Sequence, residues 1–282
     1  MEKLSFNQNW QFWQTPLHQS YHHFPQDVAW QTLDLPHDWS IALERSEHEI
    51  SASSNGFFPM GRGLYRKVFT APSEWQGNRI RIEFEGVYMN AEVSLNEHFI
   101  GRRPYGYTTF TYDLTPYLRY GQENTLWVMV DNSAQLNSRW YSGSGIYRPV
   151  WLLIANPLHI AQWGVYVTTP EVSADAARVQ VQTRLSNQSA AMQNARLISR
   201  IYSPEGDLCG QAGGMVNIAP DVEKEVFQLI EVRAPELWSI TSPRLYRLDS
   251  EVWVGDRQVD THSTTFGIRT ISFDARSGFL LN

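Results

Sequence analysis

The sequence predicts an all-β protein built as two consecutive sandwiches, and three observations carry that prediction. Apolar and polar residues alternate through run after run of about five to seven residues, the period of a half-buried strand. Gly, Pro and Asn turns separate the runs, as in Leu95-Asn96-Glu97-His98 and Val254-Gly255-Asp256-Arg257. The chain of 282 residues, 42% hydrophobic, is long enough for one to three domains with proper cores.

Residues 1–60 are rich in Trp, His, Gln and Pro with little periodicity, which predicts loops and short edge strands wrapping a sheet. From Gly63 the pattern is plainly β. Leu64–Phe69 is followed by Asn78–Glu85, in which Ile80, Ile82 and Phe84 face one way and the charges the other. Ala91–Leu95 repeats the pattern, turns at Asn96-Glu97 and returns as His98–Gly101. Leu126, Val128 and Val130 form another inward face, and Val150–Ile154 a more fully buried strand. The first domain is thereby expected over residues 1–157.

A second domain is expected over residues 158–269. Leu158–Ile160, Val165–Val167, Val179–Leu185, Ala195–Tyr202, Leu208–Val216 and Glu225–Val232 read as successive strands. Leu245–Val254 pairs with Arg257–Phe266 through Gly255-Asp256, a hairpin signal. About seven short strands in about 110 residues fit an immunoglobulin-like sandwich. In the tail, residues 270–282, Ile271–Phe273 and Gly278–Asn282 read as two further β segments around an Asp274–Ser277 turn.

Composition narrows the partners. The net charge is −6 and Lys and Arg are not clustered, which argues against nucleic acid and anionic membrane surfaces. Aromatics reach 13%, with 11 Trp, while charged residues stay at 18%. That balance suits a β protein that handles sugars, although most of these rings serve sandwich cores. Cys209 is the single cysteine, so no internal disulfide forms and the compartment stays open. No apolar run of about 18 residues exists, and Met1–Phe6 lacks a signal core. Localisation is left between cytoplasm and periplasm.

The stretch Arg139-Trp140-Tyr141-Ser142-Gly143-Ser144-Gly145-Ile146-Tyr147-Arg148-Pro149-Val150-Trp151 stands out. Its glycines permit positive φ and close backbone approach, and its arginines and aromatics can bond and stack. This is binding-loop chemistry, since its serines have no neighbouring base. Together with Leu35-Pro36-His37-Asp38-Trp39 before it and Phe266-Gly267-Ile268-Arg269 after it, the loop resembles the amino-terminal part of glycoside hydrolase family 2, the β-galactosidase and β-glucuronidase family. The resemblance runs from Trp10 to Asn282. It implies a sugar-binding-type jelly roll and then the immunoglobulin-like sandwich, standing before a catalytic (β/α)₈ barrel whose entry matches residues 270–282.

Within these two domains the resemblance implies no catalytic residue: the two Glu of a retaining exo-β-glycosidase would lie beyond Asn282. It implies either that Arg139, Trp140 and Tyr141 stand at the edge of the sugar pocket, with Asn55 in Ser53-Ser54-Asn55-Gly56 as a further candidate for that edge, or that Arg139 to Arg148 pack the first domain against the barrel. Some β-galactosidases of the family carry an aspartate near this loop that touches sugar or a cation. Arg139 stands about there, so no cofactor is expected in these domains, while a cation in the full-length enzyme stays open. The expected partners are a β-galactoside-type glycan, the chain's own barrel and, undetermined by sequence, further copies of itself.

Other constellations are set aside. Glu83/Glu85 and Glu223/Glu225 sit at i, i+2 on strands, about 6.5–7 Å apart, which superficially matches an inverting carboxylate pair. Alternating polar faces produce such pairs routinely. Asn96-Glu97 reads as a hairpin turn and not as a catalytic acid. His37 and Asp38 are adjacent, so extended backbone would send them to opposite faces, and His18, His22 and His23 lack metal-site spacing. Gly210–Gly214 lies amid strands, not before a helix, so no phosphate loop is expected. Two other readings share the residues: a free-standing carbohydrate-binding module, or part of a β-glucuronidase or β-mannosidase.

Overall fold

The computed structural model describes residues 1–15, 25, 27–49, 52–134 and 141–282. His18, His22, His23, Arg139 and Trp140 therefore lie outside the described residues. The chain divides into two compact units, Glu2–Ile154 and Ala155–Asn282, with Met1 joining the second.

The first unit is a β-sandwich. Its strands are β1 (Glu2–Ser5), β2 (Trp10–Thr15), β3 (Gln31–Leu33), β4 (Arg62–Thr70) and β5 (Arg79–Phe84), then β6 (Ala91–Leu95), β7 (His98–Arg103), β8 (Phe110–Asp113), β9 (Glu123–Asp131) and β10 (Val150–Ala155). One sheet has the order β1-β10-β5-β8 and the other β3-β2-β4-β9-β6-β7. The alternation explains the layering. Ile80, Ile82 and Phe84 of β5 are fully buried, as are Leu126, Val128 and Val130 of β9. They meet Trp10, Phe12, Tyr65 and Val93 in one apolar cluster, each large side chain stabilising the fold by about 1.5–3 kcal/mol through burial. The expected turn at Asn96-Glu97 joins β6 to β7, with φ of 49° and 71°.

The second unit carries β11 (Leu158–Val172), β12 (Ala176–Asn187), β13 (Gln193–Tyr202), β14 (Leu208–Ile218), β15 (Val222–Arg233), β16 (Tyr246–Val254) and β17 (Arg257–Phe266). Sheets of order β11-β12-β15 and β14-β13-β16-β17 form an immunoglobulin-like sandwich. Strict alternation on β12 buries Ala177, Val179, Val181 and Leu185 completely. Gly255, at φ 57°, turns β16 into β17 so that Val254 pairs with Arg257. A separate hairpin follows, β18 (Ile271–Asp274) and β19 (Gly278–Leu281).

Two elements differ from the pattern-based reading. The strands expected at Leu158–Ile160 and Val165–Val167 are one strand, β11, with a register shift between Ile160 and Val165. Trp163 at φ 51° and the crowded Gly164 absorb the irregularity as a bulge and not as a turn. Strand β8 was not expected, because four residues, Phe110–Asp113, are too few for alternation to register.

The Phe266-Gly267-Ile268-Arg269 segment closes the second sandwich. Ile268 is fully buried and its carbonyl accepts the Trp238 backbone N–H at 2.8 Å. A Cβ on Gly267 would stand 2.8 Å from Trp238 Cβ, and Arg269 lies 5.0 Å from the Trp238 ring. Glycine here is a packing requirement: the indole occupies the space a side chain would need.

Candidate functional site: a tyrosine-lined cleft

Segments far apart in sequence are laced together by main chain. The His37 N–H donates to the Ile146 carbonyl at 2.8 Å, the Trp39 N–H to Ser144 at 3.0 Å, and Tyr88 and Gly145 exchange two bonds of 2.9 and 3.0 Å. Gly145 sits at φ 124°, where a Cβ would overlap the Tyr65 hydroxyl and stand 2.8 Å from the His37 carbonyl oxygen. Only glycine permits that approach.

Side chains complete the lacing. Asp38 Oδ1 accepts the backbone N–H groups of Ser40 at 3.0 Å and Ser144 at 3.1 Å, and its Oδ2 accepts the Tyr141 hydroxyl at 2.6 Å. Burial and then the Asp38 charge push the Tyr141 phenol far above its usual range, so it stays protonated and donates. The Tyr141 ring packs edge-on against Phe58, 5.1 Å between centroids. Asn55 is 4% exposed, and its Oδ1 accepts the Ser142 N–H at 2.9 Å. Its Nδ2 is buried with no partner among the described residues.

Between these segments lies a cleft of about 470 Å³, lined by His37, Asp38, Ile41, Tyr107, Tyr141 and Tyr147 along with Pro36 and Gly143. His37 and Asp38 both line it, against the expectation that neighbours diverge. The chain turns there toward the 3₁₀ turn Ser40–Ala42, with Trp39 already in helical conformation, so the extended-strand rule does not apply. Tyr107 shares a 3.1 Å hydrogen bond with Ser142, and Tyr147 donates to the Gly106 carbonyl at 2.7 Å.

The protonation of His37 follows from its neighbours. Burial lowers its pKa and the Asp38 charge offsets only part of that, so the ring is neutral near pH 7. The Tyr65 hydroxyl accepts the Ile146 N–H and contacts His37 Nδ1 at 2.8 Å. The cleft thus offers an imidazole, phenol hydroxyls and an exposed Ile41, a set that can hold a polyhydroxylated ligand against apolar surface. Asp38 is the one carboxylate among the described lining residues, and these supply no carboxylate pair for hydrolysis.

The structure places Tyr141 in the cleft wall and Asn55 as a buried bracket beneath the loop. Tyr147 lies in the loop that the sequence singles out, whereas Tyr107 does not. The available signal was Tyr105-Gly106-Tyr107, aromatics spaced around a glycine whose Cβ would overlap Tyr88. Three of the four set-aside strand glutamates have structural partners: Glu83 pairs with Lys3 at 2.8 Å, Glu85 accepts Trp151 Nε1 at 2.8 Å, and Glu223 pairs with Arg184 at 3.2 Å. Among the described residues no group of three or more His, Cys, Asp or Glu could hold a metal ion.

This two-sandwich arrangement is that of the non-barrel domains of glycoside hydrolases. Residues 27–157 match the sugar binding domain of glycosyl hydrolases family 2, and residues 158–269 match a second model of glycosyl hydrolases family 2. The chain belongs to that family. It is 42% identical over 281 residues to the β-galactosidase BoGH2A of Bacteroides ovatus, covering 100% of this chain and 33% of that protein. A putative β-glucuronidase of Formosa agariphila is 32% identical, with 99% and 26% covered. A crystal structure of a family 2 member from Bacteroides cellulosilyticus superposes with a TM-score of 0.93 at 36% identity, covering 100% of this chain and 37% of that one. The chain therefore spans about a third of the length of the relatives it matches.

Proposed function

We propose that this chain is the non-catalytic amino-terminal portion of a retaining exo-β-glycosidase acting on terminal β-galactosides, and that its cleft forms one edge of the sugar pocket. The observation that carries this reading is the convergence of residues 35–41, 55 and 141–147 on one braced, tyrosine-lined cleft. A surface that only packed against another domain would not need a carboxylate holding two amides and a phenol in place. Arg139 and Trp140, next in sequence to Tyr141, belong to the same proposed edge.

The galactoside is favoured over the glucuronide by the β-galactosidase relative, at 42% identity. The chemistry itself would belong to a pair of carboxylates in a barrel outside this sequence. The test has two arms. The 282-residue chain should leave nitrophenyl β-galactoside intact, and turnover by it would sink the reading. The product of the complete gene should hydrolyse the galactoside in preference to the glucuronide, and the reverse preference would overturn the substrate assignment.

A further inference from the structure

The six-stranded sheet of the first unit has a second face, away from the core. Strand register sets Thr32, Gln11, Arg66 and Trp127 side by side across β3, β2, β4 and β9. The adjacent rung, Phe12, Tyr65, Val128 and Val93, is buried in the core cluster, so the Arg66 rung lies on the sheet's other face, where Trp127 is 5% exposed and packs 5.8 Å from Trp30. It lines a cavity of about 680 Å³. At strand spacing the rung is about 14 Å long, room for a short oligosaccharide and more than one ring requires.

Arg66, at the centre of this cavity, is held in place without a counter-charge among the described residues. Arg66 donates through Nε to Gln11 Oε1 at 2.6 Å, and its guanidinium lies 4.7 Å from the Trp30 ring and 5.5 Å from that of Trp127. Two indoles fix its plane. Burial lowers its pKa with no carboxylate beside it to offset the loss of hydration. Its terminal amino groups have no partner among the described residues.

The opposite rim is braced as firmly. Asn96 is 6% exposed and Asn124 fully buried. Asn96 Nδ2 donates to Asn124 Oδ1 at 2.7 Å and Asn96 Oδ1 accepts the Thr125 N–H at 3.0 Å, while Asn124 accepts the Arg119 N–H and donates to the Arg119 carbonyl, both at 2.9 Å. The backbones of Glu97 and Arg119 are thereby pinned at the cavity edge, joined there by Glu123. Glu97 holds φ 71°, a conformation that strains a non-glycine residue. None of Glu97, Glu123, Arg66 and Arg119 forms an ion pair among the described residues, although all four line the same cavity.

Two guanidiniums and two carboxylates, separated and balanced in charge, do not suit a phosphate or an anionic polymer, which would face the carboxylates. They suit vicinal hydroxyls, each of which donates and accepts at once. We infer that this cavity is a carbohydrate site of the domain's outer sheet face, taking a neutral β-linked oligosaccharide along the Thr32–Trp127 rung. Arg66 and Arg119 donate to ring hydroxyls, Glu97 and Glu123 accept from them, and Thr32 and Thr125 complete the lining. The inference stands whether or not the tyrosine cleft borders a catalytic pocket, because it uses a different face and different residues.

The test is calorimetric titration of the 282-residue chain with galactotetraose, cellotetraose and xylotetraose, all β-1,4-linked. At least one should bind saturably with a Kd of about 1 mM or tighter. Glu97→Gly, which removes the carboxylate and relieves the backbone, and Glu123→Gln should each weaken binding about tenfold or more with no lowering of the thermal midpoint. Absence of saturable binding by all three sugars would overturn the inference. So would binding that survives both substitutions, or binding lost in His37→Gln but not in Glu97→Gly, which would put the sugar in the cleft.

Discussion

Tyr141 and Asp38, 103 positions apart, share a 2.6 Å hydrogen bond that locks a glycine-rich loop onto the segment after β3. The carboxylate that receives it also holds the amides of Ser40 and Ser144. Removing the phenol leaves two of three bonds, whereas Asp38→Ala orphans all three donors. We expect Tyr141→Phe to cost about 1–2 kcal/mol and Asp38→Ala about 3 kcal/mol, measured as shifts in the urea midpoint at constant m-value.

The same phenol gives an alkaline signature. Tyr141 and the fully buried Tyr65 both have pKa values raised by burial. Above about pH 10 the unfolded chain releases these protons while the folded chain keeps them. Folding stability attached to these groups is whole below that pH and is lost as pH rises. Urea midpoints measured upward from pH 9 should fall, and Tyr141→Phe should flatten the slope; an unchanged slope would contradict the assignment.

His37 acts at the acid end. Burial lowers its folded pKa, so below about pH 6.5 the unfolded chain takes up a proton that the folded chain resists. Its contribution is present above that value and is lost as pH falls. His262, also lowered by burial, contributes in the same direction. His37→Gln should therefore reduce the stability lost between neutral pH and about pH 5, leaving the His262 share.

The fold and the site were legible to different degrees, for physical reasons. Burial with period two made Ile80, Ile82 and Phe84, and Val179 and Val181, readable as strand faces, because each core position needed an apolar residue and each neighbour did not. Strand β8 and the bulge at Trp163 carry no such signal: one is too short and the other depends on a local φ. At the cleft, the glycines and aromatics of 141–147 were visible as a binding loop. That Asn55 lies beneath it and Tyr107 beside it is set by packing between distant strands, which local pattern does not encode.

Gly145 offers a sharp backbone test. At φ 124° any side chain is strained, and its Cβ would meet the Tyr65 hydroxyl and the His37 carbonyl. The loop cannot retreat without breaking the paired bonds to Tyr88. Gly145→Ala should cost more than about 3 kcal/mol. Gly77, also at positive φ but with open space around it, should cost about 1 kcal/mol on the same change. Equal losses at the two sites would show that φ alone, and not the close approach, governs the loop.

The hairpin β18–β19 presents the opposite situation. Phe273 is 81% exposed and Phe279 55% exposed, facing each other across the hairpin with ring centroids 5.4 Å apart; Ile271 is exposed on the same face and Leu280 on the other. An apolar cluster on a two-stranded element gains little by staying wet. If it is a surface that a further domain covers, as the proposed barrel would, it contributes almost nothing to the stability of the sandwich behind it. The double substitution Phe273→Thr, Phe279→Thr should then change the urea midpoint by less than about 1 kcal/mol equivalent, while lowering binding of an apolar fluorescent dye and raising solubility. A large loss of stability would mean instead that the hairpin packs on the sandwich as part of its core. In the product of the complete gene the same pair should be costly, by about 3 kcal/mol or more per buried ring, and the contrast between short and long chains identifies what covers it.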